Sequence, residues 1–199
     1  MSLFNRLEEI AAAGREARKP ESAANKALVD RARRDPKFKS WFGRSHVTGR
    51  GGLPLVCYNA SPTGGSYTKP DPAKTKLGVI FFAEEPRTAA FGGRVFKAFL
   101  KITNPFMLRE REIEDVVDDL SERDVMVMLG ADLDTDDDDE PREQLKQKLG
   151  SSDESNVWQD PVFVRALKRS NYDGIITDDT FGGQTEYVVF RANQIMVLH

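Results

Sequence analysis

Glu186 opens an apolar run, Tyr187-Val188-Val189-Phe190, directly after the polar, Gly-rich turn Phe181-Gly182-Gly183-Gln184-Thr185. A carboxylate at the mouth of a strand, near the Gln184 amide and the Phe181 ring, is a plausible chemical site. Two other segments share that setting. Tyr58-Asn59-Ala60-Ser61 lies at the exit of an apolar strand, and Phe81-Phe82-Ala83-Glu84-Glu85-Pro86 is a strand turning into the short helical pattern that precedes Phe91. Strand ends beside loops are where sites are commonly built. Composition excludes other chemistry. Cys57 is the single cysteine, so neither a disulfide framework nor a Cys-rich zinc site exists. His46 and His199 are the only histidines, which excludes a multi-His metal centre. The net charge of −3 implies no bulk affinity for polyanions.

The elements that must carry these residues read as α+β. Leu55–Tyr58, Gly78–Phe82, Val95–Ile102, Gly174–Ile176, Tyr187–Phe190 and Gln194–Leu198 are short β-type runs bounded by Gly, Pro, Asn and Asp. Helical patterns cover 85–90, 111–128 and 157–170. Strands with sporadic helices and no βαβ rhythm argue against a doubly wound sheet. The 199 residues, 39% of them apolar and 12 of them Phe, can fill one core.

Residues 1–35 read as a helical N-terminal arm. Leu3, Leu7 and Ile10 form a stripe that Ser2 can cap, Pro20 ends the first helix, 22–34 is a second, and 37–42 starts a third. Residues 1–40 hold ten Lys/Arg against six Asp/Glu. Packing on a neighbour or on the body outweighs nucleic-acid binding by Arg31, Arg33 and Arg34, because no aromatics interleave the charges. Residues 109–140 hold fifteen Asp/Glu against three Arg. The run 132–140, within an acidic insertion at about 130–141, lacks the spacing of a calcium loop and reads as solvated. No apolar run is long enough for a membrane span, and the first residues lack the apolar core of a signal peptide.

Several stretches resemble, in order, a family of ADP-ribosyltransferase-like domains found in polyvalent proteins of phages and mobile elements. They are Phe38-Lys39-Ser40-Trp41-Phe42-Gly43-Arg44-Ser45, Gly52-Leu53-Pro54 leading to Tyr58, Gly78 to Glu85, Leu100-Lys101-Ile102-Thr103-Asn104-Pro105, Tyr172-Asp173-Gly174-Ile175-Ile176, Glu186 to Phe190, and Asn193-Gln194-Ile195. The resemblance spans about 36–198. It implies a split β-sandwich of two small antiparallel sheets with flanking helices, and NAD as substrate with no metal.

It also implies roles. Such enzymes break the nicotinamide–ribose bond through an oxocarbenium-like transition state, which an anion near the sugar stabilises. Glu186 matches the family carboxylate. Asn59 stands where the family has His, a hydrogen bonder to ribose. Ala60 stands at the Gly whose backbone pairs with the nicotinamide amide, and Ser61 follows in place of Thr. Phe82 belongs to the matching Phe-Phe strand, and Phe91 falls where relatives place a nicotinamide-stacking Tyr. Phe181-x-x-Gln184-x-Glu186 is similar to a loop of bacterial ADP-ribosylating toxins, whose aromatic and Gln contact the protein acceptor. The expected function is mono-ADP-ribosyl transfer from NAD to a host protein. The alternative is a virion structural protein that keeps the fold, loses the chemistry and binds a neighbour through its arm. The expected location is the virion or the host cytoplasm.

Overall fold

The computed structural model describes residues 22–60, 69–86, 95–107, 113–129, 141–151, 160–177 and 185–198. The first expected helix, the acidic run 132–140 and residues 87–90 of the short helical pattern lie outside them. The chain divides into two compact units, with the boundary after Ser40.

The first unit holds helix α1 (Ala23–Arg34) and the start of α2 (Pro36–Phe42), close to where the sequence places them. The Ser22 hydroxyl accepts from the Asn25 amide at 3.2 Å, a standard cap for free N–H groups. The basic last turn, Arg31, Arg33 and Arg34, complements the negative end of the helix dipole.

The second unit is built on seven strands: β1 (Cys57–Ala60), β2 (Ile80–Ala83), β3 (Val95–Leu100), β4 (Pro105–Met107), β5 (Gly174–Thr177), β6 (Glu186–Val189) and β7 (Ile195–Leu198). They run in the order β4-β5-β6-β2-β1-β3-β7. The α+β class holds. Instead of two separate antiparallel sheets, the described strands form one mixed sheet with a weak seam. Four registered pairs join β2 to β6, whereas a single pair, Tyr58↔Ala83, joins β1 to β2. The sheet is therefore split into halves that are still tied at one point. β4 and β5 are parallel, and residues between them supply the helices. One crossover of the βαβ type thus exists where none was expected, because the three residues of β4 are too few to show a period.

The crossover carries α3 (Ile113–Asp118), α4 (Glu122–Leu129), α5 (Pro141–Ser151) and α6 (Pro161–Arg169). The single helix expected over 111–128 is two. Ser121 starts the second by accepting from the Asp124 amide at 3.2 Å. Arg142 donates to the carbonyls of Val117 at 2.7 Å and Leu120 at 2.7 Å, satisfying the end of α3. Asp160 caps α6 by accepting from Val162 N at 2.6 Å, with Pro161 in the first helical position. Phe163 and Leu167 from α6 pack with Phe106, Ile175, Val188 and Phe190 on one face of the sheet. Ile80, Phe82, Leu100, Ile102, Tyr187 and Val189 fill the other. Among the described residues no helix is long and apolar enough to cross a membrane.

The Ser121 hydroxyl bond holds Asp124 below the ordinary carboxylate pKa; burial opposes this, and the paired Arg169 adds to it. A carboxylate lowered in the folded state stabilises above its unfolded pKa of about 4, and that stability is lost as pH falls through the folded value. Asp124→Asn is expected to lower Tm at pH 7 and to flatten the acid limb of a Tm-against-pH curve.

Several residues that carry the family resemblance are latches. Trp41 Nε1 donates to the Asn193 carbonyl at 2.9 Å. The buried Ser45 hydroxyl donates to the Leu100 carbonyl at 2.9 Å and accepts from Ile102 N at 3.2 Å. Asp173 accepts from Thr103 N at 2.8 Å and Asn104 N at 2.8 Å, joining the approaches to β4 and β5. Gln194, 5% exposed, uses both ends of its amide. Its Oε1 accepts from Phe190 N and Arg191 N, and its Nε2 donates to the carbonyls of Lys101 and Asp173. Removing that amide strands main-chain groups away from water. Gln194→Ala is expected to cost about 2 kcal/mol. A thermal melt reads this as a Tm lower by about 4–8 °C.

Candidate active site

Strand alternation and register place the site residues at one end of the sheet. Thr177 pairs with Glu186, Glu186 with Ala83, Ala83 with Tyr58, Tyr58 with Lys97, and Lys97 with Leu198. Directly opposed residues point to the same face. Glu186, Tyr58 and Lys97 therefore lie in one row on one face, which crosses the sheet at its seam. β1, β2 and β5 finish here, and β3 and β6 begin here. The segments holding Ser61, Phe91, Phe181 and Gln184 are attached at this same end, but those four residues lie outside the described ones.

Glu186 is half-buried, the first residue of β6. Its main-chain N–H donates to the Thr177 hydroxyl at 3.2 Å. Thr177 is 2% exposed and thus a fixed support for the start of the strand that presents the carboxylate. Sequence reading missed it, although it directly continues the β-branched run Gly174-Ile175-Ile176.

Asn59 sits in the seam itself. Its Nδ2 donates to the Phe81 carbonyl at 2.8 Å. The main chain makes a single registered pair between β1 and β2, so the side chain supplies a bond that the ladder omits. This leaves Oδ1 as the acceptor end, with no hydrogen bond to it among the described residues. Asn59→Ala is expected to leave the Phe81 carbonyl unpaired and to cost about 1–2 kcal/mol, readable as a lower midpoint in urea unfolding. Ala60 ends β1 opposite Val95, half-buried, with its backbone at the same rim.

Phe82 is 1% exposed and belongs to the core of the opposite face. It holds β2 from beneath and offers a ligand no surface. Tyr187 also lies on that face, and its hydroxyl donates to Glu84 Oε1 at 2.9 Å. Glu84 is thereby kept on the far side of the sheet from Glu186. Cys57 is fully buried there. Burial, and then the charge of Glu84, push its thiol well above its ordinary pKa, so it is no nucleophile.

The arrangement presents a positioned carboxylate, an aromatic ring and an ammonium in register along one rim, over a seam wide enough in hydrogen bonding to need a side-chain clasp. Lys97 escaped the sequence reading as a site residue because periodicity assigns a face but not a row. No curated protein and no solved structure matches the chain significantly. Residues 50–197 match the family model described as ADP-ribosyltransferase in polyvalent proteins, a match that takes in the seam, β1 to β6, most of β7 and Glu186. The chain belongs to the family of ADP-ribosyltransferase domains of polyvalent proteins.

Proposed function

We propose that this protein transfers ADP-ribose from NAD⁺ to a protein acceptor in a phage-associated setting, with Glu186 as the essential carboxylate. The observation that carries this reading is Glu186 at the first position of β6, within the family match and beside the sheet's seam. In the reaction the C–N bond between nicotinamide and ribose breaks, and its electron pair leaves with the nicotinamide. The ribose becomes cationic, and a carboxylate close to it lowers the barrier. A nucleophile of the acceptor then forms the new bond to the same carbon and gives up its proton. Asn59 and the backbone of Ala60, at the end of β1, would hold the ribose and the nicotinamide amide, as the family resemblance implies; strand alternation turns the Asn59 side chain away from the face that carries Glu186. Phe91 would stack the leaving group, and Phe181 and Gln184 would meet the acceptor.

A second reading rests on a specific observation. The Asn59 amide is already engaged with Phe81, and the His that the family resemblance implies at this position is absent. A fold kept for virion assembly, with the arm as its contact, accounts for that use of Asn59. Incubation with NAD⁺ separates the readings. Nicotinamide release by the wild-type protein, lost in Glu186→Ala, supports the enzyme; equal background release from both refutes it.

A further inference from the structure

Lys97 interrupts the apolar strand β3 at a half-buried position. Its register neighbours on either side are Tyr58 and Leu198, neither of which is a carboxylate. Its Nζ lies 5.7 Å from the centre of the Tyr58 ring, and no carboxylate pairs with it among the described residues. Among the described residues this half-buried amine has no carboxylate partner, and a bound anion would supply its counter-ion. Covering apolar surface with its stem would explain the methylenes but not the place of the amine.

That place is in the same row as Glu186, three strands away, or about 14 Å at ordinary strand spacing. The row thus has an anion at one side of the seam and a cation at the other, with an aromatic ring between them. The nearby Glu84 is held on the opposite face by Tyr187 and does not cancel Lys97. A dinucleotide whose ribose turns cationic and whose diphosphate carries two negative charges has the complementary order.

We propose that Lys97, seated on Tyr58, binds the diphosphate of a nucleoside-diphosphate sugar, and so fixes which end of the substrate reaches Glu186. This rests on the NAD reading above and adds a binding residue to it. Lysine serves phosphate as a point charge, so arginine should replace it and a neutral chain of similar length should not.

The test is calorimetric titration of the full chain with ADP-ribose and with nicotinamide riboside, which lacks the diphosphate. Lys97→Met is expected to weaken ADP-ribose by about tenfold or more, with nicotinamide riboside unchanged. Lys97→Arg should restore ADP-ribose binding. Unchanged Tm in Lys97→Met separates lost binding from lost folding. Equal ADP-ribose affinity in wild type and Lys97→Met overturns the diphosphate role while leaving the NAD reading in place. A wild-type protein that binds neither ADP-ribose nor NAD⁺ overturns both.

Discussion

Glu186→Gln is expected to lower the rate of nicotinamide release from NAD⁺ by about 10²–10³-fold, the scale of losing one preorganised electrostatic contact at a developing charge. The substitution keeps the size and the hydrogen-bonding edge of the side chain and removes its charge. The main-chain bond to the Thr177 hydroxyl and the pairing with Ala83 are untouched, so residue 186 should keep its place at the start of β6. The loss should appear in kcat more than in KM, because the charge matters most once the ribose becomes cationic. A loss confined to KM would instead mark Glu186 as a substrate-binding residue. A matching loss in thermal stability would mark it as a structural one.

The largest effect on stability is expected at Gly174. This residue starts β5, where that strand pairs with β4 on one side and β6 on the other. A Cβ here would stand 2.8 Å from the Val188 carbonyl oxygen and 2.9 Å from two carbons of Ile102. The carbonyl belongs to β6 and cannot move without disturbing the strand that presents Glu186. Ile102 is fully buried. Gly174→Val is expected to cost about 3 kcal/mol or more, at the upper end of overpacking effects. The corresponding drop in Tm is about 6–12 °C for a chain of this length. Gly174→Ala should fall between the two. Wild-type stability in Gly174→Val would mean that β5 and β6 are not packed as closely as described.

Gly174 also illustrates what was legible before the structure. It appeared in the sequence as a residue of the Tyr-Asp-Gly-Ile-Ile motif, with no indication that it is a point of closest approach. The same holds for Trp41, Ser45, Asp173 and Gln194. Each carries the family resemblance, and each proves to be a hydrogen-bonded latch between segments distant in the chain. Short motifs identified the fold well because they are the residues that hold it.

The strands were readable because β-branched and aromatic runs bounded by Gly, Pro and Asn leave few alternatives. β4 was missed because three residues show no period, and α5 because it follows the acidic run. The seam was hidden for a different reason. Register depends on pairings between residues far apart in sequence, and no local pattern records that β1 and β2 share one pair. That missing information separated Lys97 and Thr177 from the site; Phe82, assigned to the cofactor by the family resemblance, is 1% exposed and lies in the core. Glu186 was found because its chemistry and its place at a strand mouth are both local.

The carboxylate of Glu186, one strand from the seam, is proposed to turn this family fold into a transferase. The most direct measurement of this is mass spectrometry of proteins from a host-cell lysate incubated with NAD⁺ and either wild-type protein or Glu186→Gln. A protein carrying the added mass of ADP-ribose is expected with the wild type and none above background with the variant. Equal modification by both, or none by either while nicotinamide is not released, would contradict it.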